Sequence, residues 1–437
     1  MKSALVLGAG SRGRAYADYS LSHPDELRIV AVAEPDESRR EAFRKRYGLE
    51  AGNCFCDWRD ALSKGRIADC VFICTLDDMH REPALKAMEL GYEILLEKPM
   101  ANRKDDCIAI AEAAERSGVH MAVCHVLRYT PFFRTIRRAI ADGMLGEVAV
   151  INLTENVAYW HMAHSFVRGN WSNSDETSPM ILQKSCHDMD IMLYLLSSHC
   201  LSLSSYGSLR HFTKENAPSG AAERCLDCHL AKTCPYDAAK LYLGKNTDWP
   251  VDVISTDHSL EARSEALRTG RYGRCVYSCD NNVVDRQVVA LSFEGGTVGC
   301  FTMTGFTTDH TREIKIMGTK AQLVGRMDSG LIEYSDFSSG KTRVLPLVDL
   351  KADTFGHGGG DELIVREFLK GEGELSRPSV SLESHLMCFA AEESRLSGGR
   401  PVEIVNAGDD HASLSSTAPG RRETDVKDDD SVKPSLS

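Results

Sequence analysis

Six residues near the amino terminus, GAGSRG (Gly8 to Gly13), constrain this 437-residue chain more than any other feature. They follow the apolar run SALVL and open a helix-like segment, with Gly8, Gly10 and Gly13 in G-x-G-x-x-G register. Glycine at these places permits a tight turn, backbone approach to a pyrophosphate and close helix packing. A second apolar run, LRIVAVAE, ends in Glu34, where a carboxylate would take the adenosine ribose hydroxyls and repel a 2′-phosphate. NAD is therefore favoured, and Arg12, Arg39 and Arg40 keep NADP open. The alternative is a glycine turn in an unliganded domain of the same type.

The runs SALVLGAG, LRIVAVAE, DCVFICT, YEILLEKP and HMAVCHV alternate with helical patterns such as KDDCIAIAEAAERSG. Runs apolar on both faces suit a parallel sheet covered by helices, so residues 1–124 are expected to form an α/β Rossmann domain with a doubly wound sheet. From 125 to 405 the reading is an α+β domain on a largely antiparallel open sheet, in which FFRTIRRAIADGMLGEV is a helix followed by strands. Residues 209–285 are polar, carry five cysteines and interrupt that scheme as an insertion. Residues 406–437 turn to Ser, Asp, Lys and Pro and read as a disordered tail.

A net charge of −12 without a basic stripe argues against nucleic acid and for a small-molecule partner. No apolar run reaches the roughly 20 residues of a membrane helix, and MKSALVLGAG is too short an apolar run for a signal peptide. A cytoplasmic setting is expected, in which cysteines are buried thiols or metal ligands rather than disulfides.

EILLEKPMA ends a buried strand on Glu97 and Lys98, charges that are costly there unless paired or used. At the carboxyl end of a parallel strand they face a ligand cleft, and Lys98 could polarise a substrate oxygen. In ILQKSCHDMDIMLYLL, His187 and Asp190 stand one helical turn apart, as a proton-exchanging imidazole and a carboxylate to orient it. AYWHMAHSFVRGNW offers Trp160, His161, His164, Arg168 and Trp171 either as a carbohydrate pocket or as a loop anchored by its tryptophans. In GHGGGD, His357 could reach the site and Asp361 could cap the following helix.

Taken together, GAGSRG, TLDDMH (Thr75 to His80), EKP and VLRYTPFFRTIRRAIADGMLGEV resemble the Gfo/Idh/MocA oxidoreductases, named for glucose-fructose oxidoreductase and inositol dehydrogenase. The resemblance covers nearly the whole chain to about residue 405, apart from the cysteine-rich insertion. It implies NAD(P)-linked chemistry on sugars, cyclitols or their derivatives, and a second domain whose sheet often mediates oligomers, so a homodimer or homotetramer is expected. Cofactor contacts are then expected from Gly8, Gly10, Ser11, Arg12, Gly13, Glu34, Thr75, His80, Glu97 and Lys98. Lys98 matches the family's active-site lysine, His187 its acid/base histidine, and Asp190 the acid that follows. Where the family pattern is D-x-G-x-H-x-x-D, this chain has Gln183 and Ser185, with Lys184 adding a cation. That departure leaves three readings open: simple alcohol oxidation, redox-cycling cleavage of a glycoside with His161, His164 or Lys184 as the extra base, and a non-enzymatic NAD sensor.

In the insertion, RCLDCHLAKTCPYDA supplies Cys225, Cys228 and Cys234, and RCVYSCD adds Cys275 and Cys279. A C-x-x-C pair completed by further cysteines predicts a structural zinc site, and the uneven spacing leaves an iron-sulfur cluster open.

Overall fold

In the computed structural model, which describes residues 1–348, 356–371 and 376–404, Met1 to Ile404 form one compact unit. The expected disordered tail, 406–437, lies outside the described residues.

Strands β1 (Lys2–Leu7), β2 (Leu27–Ala33), β3 (Cys54–Phe55), β4 (Cys70–Ile73), β5 (Glu93–Leu96) and β6 (Met121–Val123) form a sheet in the order β3-β2-β1-β4-β5-β6. All its pairings are parallel. The strand order reverses at β1, so the turn after β1 opens at the switch point where such sheets bind ligands. Because the sheet is parallel, both faces need cover. Part of that cover comes from far along the chain. Leu363, Ile364, Val365 and Phe368 of the helix Gly356–Lys370 join the core that holds Val6 and Phe72. Leu382 and Leu386 of the helix Pro378–Leu396 join the core on the other face, with Leu5 and Ile94. The first domain is thus not closed at residue 124.

The second sheet has nine strands: β7 (Val148–Asn156), β8 (Cys200–Ser208), β9 (Arg286–Phe293), β10 (Val298–Thr304), β11 (Thr311–Gly318), β12 (Ala321–Arg326), β13 (Leu331–Asp336), β14 (Thr342–Val344) and β15 (Val402–Glu403). Their order is β14-β13-β12-β11-β7-β10-β9-β8-β15, antiparallel except for β10 against β7. One face packs on the helices Pro131–Ala141, Cys186–Leu196 and Pro378–Leu396. The other leaves Val288, Val298 and Val324 exposed.

Residues 209–285 leave the sheet between β8 and β9 and build a small core of Cys225, Ala238, Tyr242, Val251 and Leu267. The expected metal staple does not fit this arrangement. Cys225, Cys228, Cys234 and Cys275 do line one cavity of about 220 Å³, but among the described residues no three His, Cys, Asp or Glu side chains are grouped to hold a metal ion. The reason is a guanidinium already seated among the thiols. Arg168, which is fully buried, donates to Cys225 Sγ at 3.3 Å, to the Tyr236 carbonyl at 2.7 Å and to the Arg274 carbonyl at 2.7 Å. Cys279 donates its own proton to the Cys275 carbonyl at 3.2 Å, and burial pushes its thiol up to about 11. A buried guanidinium thus occupies the space among these cysteines, and the described residues offer no grouped ligand set for the zinc or iron-sulfur cluster expected from the spacing. Arginine-to-carbonyl bonds tie the insertion together. Arg263 donates to the Tyr242 and Gly244 carbonyls and Arg224 to those of Leu267 and Gly270.

Candidate functional site

The glycine turn has the shape of a phosphate cradle. Gly8 sits at φ +94°, where a β-carbon would stand 2.4 Å from the Cys74 carbonyl oxygen, and one at Gly13 would stand 2.0 Å from that of Gly8. Beside Gly10 the space is open, with no atom within 4 Å of a β-carbon's place. Glycine is thus needed twice for packing and once to leave room in front, and exposed Ser11 opens the helix Ser11–Ala17 behind that room. Glu34 is buried, and its carboxylate accepts from the Ala9 N–H at 2.8 Å and the Asp36 N–H at 3.1 Å. Ionised, it keeps lone pairs for two ribose hydroxyls. These residues fit a dinucleotide. Arg40, which could have served a 2′-phosphate, spends one nitrogen on the Glu34 and Pro35 carbonyls.

Glu97 is buried because it is paired. Its Oε1 accepts from Arg12 Nε at 2.6 Å and from the Tyr16 hydroxyl at 2.8 Å, and its Oε2 from the Lys98 N–H at 2.5 Å. Arg12 also donates to both oxygens of Asp361, at 3.0 and 2.7 Å. Burial opposes ionisation of Asp361, yet Arg12 and His357 together hold it well below the usual carboxylate range. The backbone is non-helical at His357, Gly358 and Gly359, with φ of +40°, +65° and +90°, so Asp361 stands at the start of the regular helix, and its carboxylate is taken by Arg12. Arg12 and Glu97 thus act as a brace beneath the cleft. His80 has a similar part, its ring nitrogens lying 2.8 Å from the Pro99 carbonyl and 3.1 Å from that of Thr75, which ties the TLDDMH turn to the EKP turn. The Met100 N–H donates to His385 Nε2 at 2.9 Å and fixes the same turn from behind.

Lys98 reaches across to the second domain. Its ammonium donates to the Gln183 carbonyl at 2.6 Å and to the Gln183 amide oxygen at 3.0 Å. The residue that departs from the expected aspartate is therefore the partner of the lysine, and the lysine's charge meets an amide instead of a carboxylate. His187 lies one turn on, buried, with Nδ1 unpartnered and its ring 6.1 Å from that of His357. Burial, reinforced by the nearby Lys98 charge, holds His187 well below the ordinary histidine range, so the imidazole is neutral. Asp190 does not orient it. Both its oxygens accept from Arg128, at 2.7 and 2.6 Å, in a buried bidentate pair, and His187 Nδ1 has no hydrogen-bond partner.

The segment carrying Trp160 to Trp171 is helical, with a wide π-type turn over Met162–Arg168 that fans its side chains apart. Trp160 and His161 stay at the cleft, against Trp249 at 5.6 and 5.0 Å and His310 at 6.2 and 4.5 Å between ring centres. Lys184 joins them, 3.3 Å from His310 Nε2 and 3.2 Å from the Glu155 carboxylate, which also pairs with Arg312 at 2.6 Å. The other three are placed elsewhere. His164 is 2.7 Å from the Tyr242 hydroxyl in the insertion, Arg168 holds the cysteine cavity, and Trp171 packs on Phe166. His164 and Arg168 anchor the insertion and Trp171 packs within its own segment, which favours the anchored-loop reading of these three over a substrate role. Trp249 and His310 escaped the sequence reading because NTDWP and TTDHT carry no periodicity. A tryptophan in an otherwise polar insertion was the one available signal.

Among the described residues no helix is long and apolar enough to cross a membrane. Residues 2–125 match the model of the oxidoreductase family with NAD-binding Rossmann fold, and residues 137–345 match its C-terminal alpha/beta domain. Bacillus subtilis (strain 168) YteT is 25% identical over 71% of this chain and 74% of its own length. The scyllo-inositol 2-dehydrogenase (NAD(+)) of the same organism is 26% identical over 58% of this chain and 72% of its own. The 2,7-anhydro-N-acetylneuraminate hydratase of Escherichia coli (strain K12) is 26% identical, over 44% of this chain and about half (48%) of the hydratase. Among solved structures, levoglucosan dehydrogenase in complex with NADH and levoglucosan shares the fold, with a TM-score of 0.67 at 18% identity over 92% of this chain and 99% of that one. With both domains matched in order around this cleft, the chain belongs to the Gfo/Idh/MocA family of NAD-binding oxidoreductases.

Proposed function

We propose that this enzyme oxidises a hydroxyl of a sugar, cyclitol or glycoside with NAD as hydride acceptor. The observation that carries the reading is that Lys98 is bound to Gln183 one turn before the buried His187, whose imidazole feels the lysine's charge. NAD, held by Gly8, Gly10, Ser11, Gly13 and Glu34, supplies the hydride acceptor when bound. Lys98 then stabilises the oxygen as negative charge develops on it, and His187 takes the hydroxyl proton. Glu97, Arg12, Thr75 and His80 keep the lysine turn in place, and Trp160, His161 and His357 line the approach. The relatives' names support the substrate class, since they include an inositol dehydrogenase and act as a guide to polyhydroxylated rings.

A second reading is favoured by the Lys184–His310–His161 cluster and by the likeness to a hydratase. Oxidation of a carbinol to a ketone acidifies the neighbouring C–H. A second base removes that proton, the leaving group departs with its bonding pair, water adds to the resulting unsaturated ketone, and the hydride returns to the carbonyl carbon, so no net oxidation occurs. Burial, then the charges of Arg312 and Lys98, lower the Lys184 ammonium against the pull of Glu155, which makes Lys184 a better base than a surface lysine. The non-enzymatic reading has lost its ground, because the family is one of oxidoreductases and Lys98 and His187 are both present.

Mass spectrometry of products after incubation with NAD and a panel of free sugars, inositols and glycosides separates the two. A product lighter by two hydrogens, formed with NADH, supports net oxidation. Cleaved or hydrated product without NADH supports the redox-neutral cycle. No product from any member overturns the carbohydrate reading.

A further inference from the structure

The insertion does more than decorate the second domain. Its residues 249–256 run along the cofactor cleft and touch three landmarks in order. Trp249, 38% exposed, stands over His161 and Trp160 at the reaction end. Asp252 accepts from Arg14 Nη2 at 2.6 Å, and Arg14 lies in the helix that follows the glycine turn. The Thr256 hydroxyl lies 3.4 Å from that of Ser38, at the start of the helix Glu37–Tyr47, just past Glu34. Those landmarks mark where the nicotinamide, the pyrophosphate and the adenosine ribose of a bound dinucleotide would lie. Val251, between the contacts, is buried in the insertion's own core, so the segment is held at its back as well as its ends.

We propose that Arg14 and Asp252 are positioning residues that hold this segment as a strap across the dinucleotide, so that the cofactor is retained through turnover. The inference rests on the NAD-binding part of the functional reading and extends it. A cofactor under a strap suits chemistry in which the hydride returns to the same ring, since NADH need not leave between half-reactions. The ion pair is the hinge point of the argument because the side chain of Asp252 is only 14% exposed and that of Arg14 39%. A charge-assisted bond so placed is worth enough to change a release rate by roughly tenfold.

The test is stopped-flow release of NADH from the purified full-length protein, displaced by excess NAD⁺ and read by nicotinamide fluorescence. Asp252→Asn and Arg14→Gln are each expected to speed release roughly tenfold at unchanged melting temperature, and the double variant no further than either alone. The converse variant, Ser38→Cys with Thr256→Cys, is expected to release NADH more slowly when oxidised and to recover on reduction, with each single cysteine variant controlling for native thiols. Unchanged release in both charge variants overturns the strap, as does a mass-verified cross-link that leaves release unaltered. Failure of the native protein to bind NADH overturns the strap together with the cofactor reading. Altered release without product from any sugar or inositol leaves the strap standing and removes only the substrate class.

Discussion

At the level of single residues, the lysine and the amide that holds it are the sharpest handles. Lys98→Met removes the charge opposite the developing alkoxide, and kcat should fall by about 10²- to 10³-fold while NADH titration stays near that of the parent. Gln183→Asp tests the departure from the family pattern. A carboxylate on Lys98 would offset the positive charge that now helps to keep His187 unprotonated, so the His187 pKa should rise. The acid limb of a kcat/KM against pH profile should then move to higher pH, and an unmoved limb would show that His187 is not the titrating base. Lys98 and His187 could be read from the chain because each sits in a motif at the end of a regular element. The roles of Glu97, Arg12 and Asp361 could not, since ion pairs between residues 12, 97 and 361 depend on three-dimensional approach rather than on spacing.

Among the elements, the strands and the helices between them were readable wherever apolar periodicity ran unbroken, as in VAVINLTEN for β7 and RQVVALSF for β9. Periodicity fails in the insertion, and there cysteine spacing suggested a metal where the chain instead buries an arginine. Local spacing cannot show that Arg168, from an earlier segment, enters the cavity. Arg168→Ala strips the half-buried carbonyls of Arg274 and Tyr236 of their donor, at a cost of about 1 kcal/mol for each. Limited proteolysis should then cut within residues 209–285 in the variant while the parent resists. A chelator should leave the parent's proteolytic pattern unchanged if arginine-to-carbonyl bonds rather than a metal hold the insertion.

Across the whole molecule, buried histidines set the response to acid. His164 and His385 are held at about 3, mainly by burial, with neighbouring positive groups adding to it, and His125 and His161 are also well below the ordinary range. The unfolded chain binds protons from about pH 6.5 downward and the native state does not, so the stability is fully present above that pH and is lost as pH falls toward 3. His164 and His385 should each remove about 2 kcal/mol by pH 5, an effect measurable as a falling urea midpoint between pH 7 and 5. The exposed face of the nine-stranded sheet, with Val288, Val298 and Val324 on it, is where we expect copies of the chain to associate. Light scattering should report a dimer or tetramer, and Val298→Lys should shift it toward the monomer. The helices Gly356–Lys370 and Pro378–Leu396 carry a different consequence, one that concerns birth rather than catalysis. They complete the cover of both faces of a sheet whose strands are all made before residue 124, so a nascent chain emerging from the ribosome holds a partly covered parallel sheet until nearly the last described helix has appeared. Completion of the nucleotide half must wait until these two helices are made, and a chain shortened before Pro378 is expected to depend on chaperones that one reaching Ile404 does without.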